Sequence, residues 1–447
     1  MFKFRKKQRS ELETVLLAQD ERLGKLAARE RPSSLEDSNL LQADAENGHG
    51  DYPDFACSTL ISVPTWKQMV ADANEIVPEE RRLEDILSNE DFEDINRWLA
   101  ELNESFSSKY RLDKYDVAFA VMSGILAAAV DMFLVGVPQR THEEGLRGGR
   151  LENYVRDKFK EWLPEDEMKK LAASAEAKVP YDAPYNMGFT EEWVEGLNPH
   201  MHRLYSLGHD PLLGFVIGVG DILSGSITTI DKTGAVVVQQ IGRYSDRKAS
   251  TVAEALMRQF IHLKTDVNTS MGLPAPLMGL FNLLQFGEIG EEKLTIAEIV
   301  QGMYYEGYDF EHFCAQSIPV MLAELSVRLC YLGKRLHDGN TLSESMPFST
   351  NREKHPKLAT MLFLAHSVAA GIDAGRVYFS KNPMELSYPE MVVFATYAVK
   401  QLKWAAIDKP ALRHAYIMDA LDAELDKLTS IAEDRLSLMP EFEFVFE

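Results

Sequence analysis

Apolar residues recur at three- and four-residue intervals along most of the chain, the period of a helix with one buried face. A polar helical pattern runs from Thr65 to Phe106, with Trp98 and Leu99 among its apolar positions. The stretch Val117–Val137 is almost wholly apolar, with Asp131 as its one charge. A charged helical segment follows to about Lys178, then a turn-rich loop, VPYDAPYNMG. Helix is predicted again from Pro199 through HMHRLYSLGHDPLLGFVIGVGDILSG, broken or kinked by Pro211 and by Gly214, Gly218 and Gly220. The β-formers of SITTIDKTGAVVVQQI flank Asp231-Lys232-Thr233-Gly234 and predict a small hairpin over 226–242. Further helices are predicted over Ser250–Val267, Leu277–Gln285, Thr295–Tyr305, Phe310–Leu336, His355–Ala370, Glu390–Ile407 and Lys409–Leu436. No internal repeat and no strand–helix alternation is present, so the expected class is mainly α: a multi-helix bundle with a small β-hairpin insertion.

Four regions are expected. Residues 1–55 form a basic, amphipathic segment and a linker, in which Arg31–Asp54 is rich in Ser, Asp, Asn and Gly. Residues 56–110 are polar and helical, 111–340 form a central helical core, and 341–447 a C-terminal helical region. The first residues, MFKFRKKQRS, are basic, but the amphipathic stretch behind them lacks the apolar run of a secretory signal. Leu12, Val15, Leu16, Leu23 and Leu26 suit a surface or oligomerisation helix. Lys3, Arg5, Lys6, Lys7 and Arg9 suit contact with anionic lipid, each worth ~1 kcal/mol at best.

Val117–Val137 has the length of a bilayer span, about 20 residues. Its small residues, Ala118, Ala120, Gly124 and Ala127 to Ala129, allow close helix packing. A helix buried within a soluble bundle has the same pattern, and both readings stand at this point.

The composition is that of a globular chain: 447 residues, 45% hydrophobic and 26% charged. The formal net charge of −22 argues against non-specific nucleic-acid binding. Three cysteines, Cys57, Cys314 and Cys330, cannot form a disulfide framework and match no zinc ribbon or redox pair, so a reducing compartment is the default. No GxxxxGK[ST], GxSxG, HExxH or strand-flanked GxGxxG occurs. P-loop, α/β-hydrolase, zincin and Rossmann chemistry are therefore not indicated.

Candidate chemistry lies in two clusters. The first is His200-Met201-His202-Arg203, followed by Ser206-Leu207-Gly208-His209-Asp210. On a continuous helix, His202 and His209 would return to one face two turns apart. The second is His262 and Asp266, one helical turn apart, in HLKTDVNTSMGLPAP. Imidazole nitrogen with carboxylate oxygen suits zinc, manganese or iron. Asp131 is a further candidate ligand, since a lone carboxylate among Ala, Val, Met and Phe needs a partner. Asp221 in GVGDILSG has the same need. Bland readings compete: Asp210 before Pro211 suits a helix N-cap, and His366 on its apolar helix suits a satisfied core histidine.

HMHRLYSLGHD and the later HLKTDVNTSMGLPAP resemble the two signature segments of the bacterial membrane-bound metal-dependent hydrolases, which are similar in style to zinc-dependent phospholipase C. The resemblance implies His202, His209, His262 and Asp266 as metal ligands, with Asp131 as a fifth candidate. The order of Ser206 and His209 departs from the pattern, no Pro-Asp precedes Asp131, and both ends of the chain lie outside the match.

The sequence thus leads to a metal-dependent hydrolase of a phosphoester or lipid-like substrate, with zinc or manganese as cofactor. Asp210 is expected as base or ligand-orienting group and Arg203 as the contact to substrate anion. The expected setting is cytoplasmic, at or in the inner membrane, with a membrane surface or a second copy as partner and no nucleic acid. A reading from another class is a non-enzymatic helical scaffold or membrane-directed effector in bacterial stress or phage defence. Vesicle binding tests that reading.

Overall fold

A computed structural model describes residues 11–29, 61–77, 88–141, 145–186, 192–240, 246–269, 271–289, 292–437 and 444–446. The linker expected over Arg31–Asp54, the basic residues Lys3 to Arg9 and Cys57 lie outside them.

The chain divides into two compact units, 1–108 with 409–447, and 109–408. The region expected as one block over 341–447 is therefore split, its last helix belonging with the N-terminal part. The first unit contains α1 (Glu11–Arg29), β1 (Ile61–Val63), α2 (Trp66–Ile76), most of α3 (Asn89–Tyr110), α15 (Lys409–Ser437) and β6 (Phe444–Phe446). Val15, Leu17 and Ala18 of α1 pack against Ala73 and Val77. β1 and β6 pair in parallel, a contact between the two ends of the chain that no local pattern announces.

The second unit is mainly helical: α4 (Lys114–Val130), α5 (Arg150–Trp162), α6 (Glu165–Ala172), α7 (His202–Tyr205), α8 (Ile217–Ser224), α9 (Val252–Asp266), α10 (Ile296–Glu306), α11 (Phe310–His337), α12 (Leu342–Ser345), α13 (Leu358–Ser380) and α14 (Tyr388–Lys403). Its sheets are small. β2 (Gln139–Thr141) pairs with β3 (Gly145–Arg147), and β4 (Ser226–Ile230) with β5 (Val236–Gln240), both antiparallel. The second pair is the hairpin expected around Asp231, whose carboxylate accepts from the amides of Thr233 and Ala235 and closes the turn.

Helices α4, α11, α13 and α14 form a bundle. Ala120, Val327, Leu358, Met361, Leu362 and Ala365 fill its centre. At Gly124 a side chain would collide with the Ala365 carbonyl, so this glycine sets how closely α4 meets α13. Asp113 caps α4 in a capping box with Asp116. Asp116 pairs at that end with Lys334 of α11 (2.6 Å) and Lys357 before α13 (3.0 Å). At the other end α4 passes into a π-helical turn, Asp131–Val135, where Asp131 Oδ2 meets Arg376 of α13 at 2.9 Å. These pairs make α4 and α13 run in one direction and α11 in the other.

The helical stretches Asn89–Val135, Phe310–His337 and Leu358–Ser380 are long and apolar enough to cross a membrane. Within the bundle, α4 presents Met122, Ile125 and Leu126 outward, its π-helical turn presents Phe133, and α11 presents Ile318, Met321, Leu325 and Leu329.

Candidate metal centre

The segment from Pro199 to Gly225 is not one helix. It forms α7, a 3₁₀ turn at Leu207–His209, another at Leu213–Phe215, and then α8. The break has a visible cause. Ser206 bridges to Thr229 of the hairpin. At Gly208 the backbone lies against the Tyr181 ring, so closely that a Cβ would stand 2.6 Å from it. His202 and His209 therefore do not converge through helical spacing. They converge because the 3₁₀ turn folds back, with ring centroids 5.3 Å apart.

His262 joins them from the buried face of α9, with ring centroids 5.2 Å from His209. Asp266, at the end of the same helix, places Oδ2 at 3.4 Å from His262 Nε2 and 3.8 Å from His209 Nε2. A second carboxylate, Asp182, comes from the VPYD loop. Its Oδ1 lies 3.3 Å from His202 Nε2 and 3.8 Å from His209 Nε2. Ligand atoms of Asp182, His209 and His262 all lie within 4.8 Å of one another.

Sequence reasoning missed Asp182. It sits in an irregular loop where no periodicity ties it to the histidines, and the Pro180-Tyr181-Asp182 run is its one local signal. Arg247 holds the loop by donating to the carbonyls of Val179 (3.2 Å) and Asp182 (3.3 Å).

The second nitrogen of two rings settles what the first can do. His202 Nδ1 lies 3.0 Å from the Pro199 carbonyl, and His262 Nδ1 3.0 Å from that of Ala177. A carbonyl only accepts, so each Nδ1 carries a proton, and in the neutral ring each Nε2 turns a lone pair inward. Those lone pairs face carboxylate oxygens. His209 Nδ1 and Nε2, His262 Nε2 and Asp266 Oδ2 are all buried with no hydrogen-bond partner. Acceptors facing acceptors in a buried site repel unless a cation stands among them. The donor set, imidazole nitrogen with carboxylate oxygen, fits zinc or manganese.

Electrostatics support the same arrangement. Burial pushes His209 down to about 4, helped by the charges of His262 and His202 and opposed by Asp182. Burial alone would raise the Asp182 carboxyl. The imidazoles of His202, His209 and His262 that face it outweigh burial and hold the group well below the usual carboxylate range. Behind the cluster, Tyr181 donates to Gln259 at 2.5 Å, and Gln259 donates to the Gly208 carbonyl at 2.8 Å. Gly214 and Gly218 leave room for that same Gln259 side chain, a packing role.

The remaining expected site residues do other work. Asp131 is not in the centre; its Oδ2 is taken by Arg376 at the end of the bundle. Asp210 accepts from the amides of Leu212, Leu213 and Leu277, so it is a cap and a strut, not a base beside the cluster. Arg203 faces Asp266 Oδ1 at 3.1 Å and also donates to Thr269 Oγ1 and the Gly272 carbonyl. It braces a ligand, and with those partners it is not turned toward an incoming anion. Asp221 finds its partners in Ser226, Thr228 and the Thr228 amide, anchoring the hairpin. His366 sits in the bundle with Nδ1 at 2.8 Å from Glu390.

No family model, no curated protein and no solved structure matches the chain.

Proposed function

We propose that this chain is a metal-dependent hydrolase of phosphoesters whose helical bundle lies in a membrane. One observation carries the catalytic half. Three imidazoles and two carboxylates meet in a buried site, with His202 Nε2 and His262 Nε2 held as lone-pair donors by outer carbonyls. The resemblance of the two motif segments to the membrane-bound metal-dependent hydrolases supports the same reading.

The residues divide the work. His202, His209, His262, Asp182 and Asp266 hold the cation, and Arg203 fixes the angle of Asp266. A divalent cation, when bound, supplies Lewis acidity and positive charge toward a phosphoryl oxygen. Tyr181, fully buried against the His209 and His262 rings, and Gln259, hydrogen-bonded to it, back the site. The Asp182 side chain keeps 42% of its surface exposed while the three rings are nearly covered, so substrate approaches over Asp182.

The membrane half rests on the outward faces of α4 and α11. Met321 is 69% exposed and Leu325 54%, within an outward stripe of Ile318, Met321, Leu325 and Leu329 on α11. Beside that stripe Glu324 pairs with Arg328 at 2.8 Å, each about a quarter exposed, and Asp131 at the end of α4 pairs inside the bundle with Arg376. Apolar side out and charge side in is the pattern of a membrane bundle. The substrate class that fits both halves is a membrane-proximal phosphoester.

The test uses protein purified in detergent without chelator. Elemental analysis is expected to find zinc or manganese in the wild type. Hydrolysis of bis-p-nitrophenyl phosphate and of phospholipid in mixed micelles should stop with EDTA and with His262→Ala. Failure to bind either metal after dialysis against it would overturn the reading. So would full metal loading with no hydrolysis of either substrate.

A further inference from the structure

A cavity of about 550 Å³ opens on the second unit, and none of the metal ligands lines it. Small-molecule sites have roughly this size, about 300–1,000 Å³. Its polar lining includes Arg140, His200, Tyr305, Glu306 and Asn382. Val137 and Met384, which also line it, join the packed core around Met201 and Tyr304, so the floor is apolar.

The fold fixes how these residues meet. Gly307 ends α10 with a φ of 110°, and a Cβ there would stand 2.6 Å from the Leu146 side chain. Strand β3 is thus seated on the end of α10. Arg140 on β2 is the register partner of Leu146, which brings it to the cavity with Tyr305 and Glu306, the last residues of α10. The His200 and Tyr305 rings lie 6.0 Å apart, centroid to centroid. Asn382 caps the 3₁₀ turn after α13. Its Oδ1 accepts from the Met384 amide at 3.0 Å, which leaves Nδ2 free to donate.

The charges in this cavity are unspent. Arg140 and Glu306 both line it, yet they pair neither with each other nor with any other of the described residues. On the same hairpin Arg147 does close on an acid, Asp157 at 2.8 Å. A guanidinium and a carboxylate kept apart in one cavity suit a ligand that carries both charges. Arg140 offers paired N–H donors to an anion. Glu306, the negative end of the α10 dipole and the Tyr305 ring suit an ammonium.

The place of the cavity selects the source of such a ligand. Phe133 and Leu134 are exposed on the π-helical turn shortly before Val137, and Tyr378 and Phe379 at the end of α13 shortly before Asn382. Lys381 lies over the Tyr378 ring at 4.5 Å. Exposed aromatic residues at helix ends are typical of the boundary between lipid and water.

We infer that this cavity binds the head group of a zwitterionic phospholipid, with the phosphodiester on Arg140 and Asn382 and the ammonium on Glu306 and Tyr305. The inference rests on the bundle lying in a membrane and not on the metal centre.

The full chain in detergent micelles tests this, kept in EDTA so that no lipid is hydrolysed. Binding of dihexanoyl phosphatidylethanolamine and of dihexanoyl phosphatidylglycerol is measured by titration calorimetry, with protein-free micelles as the blank. The first is expected to bind about tenfold tighter or more, although only the second carries a net charge. Glu306→Gln should erase that preference, and Arg140→Gln should weaken both lipids by a similar factor. Both changes fall on exposed side chains, and thermal unfolding checks that each variant folds. Equal binding of the two lipids by the wild type, or a preference that survives Glu306→Gln, overturns the inference. So does water-soluble glycerophosphoethanolamine binding as tightly as the lipid, which would assign the cavity to a soluble zwitterion. The membrane reading fails on other data, release of the chain by carbonate washing. A bundle that stays in the membrane but shows no lipid preference therefore removes this inference alone.

Discussion

His209 and His262 face each other with ring centroids 5.2 Å apart, and the Nε2 of each is buried without a hydrogen-bond partner. Arg203 controls how a third group meets them, because it holds Asp266 Oδ1 and leaves Oδ2 to point at both rings. Replacing a residue that braces a metal ligand typically costs about 10–100-fold in metal affinity. Arg203→Ala is expected to weaken zinc or manganese binding by that factor, and Arg203→Lys to recover only part of it, because lysine lacks the planar fork. Competition titration against a chelating dye measures this. Unchanged affinity in Arg203→Ala would show that Asp266 needs no brace.

Asp182 gives a stronger prediction. It is the carboxylate nearest His202, at 3.3 Å, and the exposed wall of the centre. Asp182→Asn keeps the shape and removes the charge. Metal content should fall sharply while the thermal transition stays close to wild type, since Arg247 holds the loop by backbone carbonyls that the change leaves alone. Wild-type metal content in this variant would place the ion without Asp182.

His209 supplies a pH dependence for the metal-free protein. Its ordinary value of 6.5 drops to about 4 in the folded chain, because burial disfavours the charged ring. The unfolded chain therefore takes up this proton at a higher pH than the folded chain. Acid then favours unfolding, and stability falls as pH drops from about 6.5 toward 4. At about 1.4 kcal/mol per pH unit, the loss is at most roughly 3 kcal/mol. Thermal midpoints of chelator-treated protein between pH 7 and pH 4.5 should fall, and metal-loaded protein should start higher and fall at least as steeply, because acid also competes for the ligands. A flat profile for the metal-free protein would contradict the buried, neutral state of this ring.

Much of the fold was legible because it is local. The helical period outlined α9, α10, α11 and α15 closely, and Asp231 to Gly234 marked the hairpin. His262 and Asp266 were readable for the same reason, since four residues on a helix share a face. The meeting of His202 with His209 was expected for the wrong reason. The helix that would have aligned them is broken where Gly208 gives way to Tyr181, a contact with a residue far away in sequence. Asp131 was misplaced likewise: its partner, Arg376, lies on another helix, and nothing near Asp131 announces it. Asp182 escaped because an irregular loop has no period. Local spacing is written in the sequence, while pairings closed by tertiary contacts are not.

Gly124 tests the packing of the bundle. A methyl group there would collide with the Ala365 carbonyl, a backbone atom that cannot turn aside. Overpacking of this kind costs about 1–3 kcal/mol. Gly124→Ala should lower the thermal midpoint, and Gly124→Leu should lower it further or block accumulation of folded protein. A neutral Gly124→Leu would mean that α4 and α13 do not meet this closely.

The outward stripe of α11 separates lipid from water as its surroundings. Met321 and Leu325 are largely exposed and touch little of the protein, so charges placed there cost the packed interior almost nothing. If water lies outside, Met321→Glu/Leu325→Glu is harmless or improves solubility. If lipid lies outside, a charged residue near the middle of a span costs roughly 2.5–3.5 kcal/mol, and two such changes should prevent stable insertion. The expected outcome is that wild-type protein stays with membranes after carbonate washing, whereas the double variant is released or degraded. Release of both proteins alike, with the variant folded and soluble, would place the bundle in water and remove the membrane half of the proposal. The metal centre can be judged separately in the same samples, because His202, His209, His262, Asp182 and Asp266 all lie outside α4, α11 and α13.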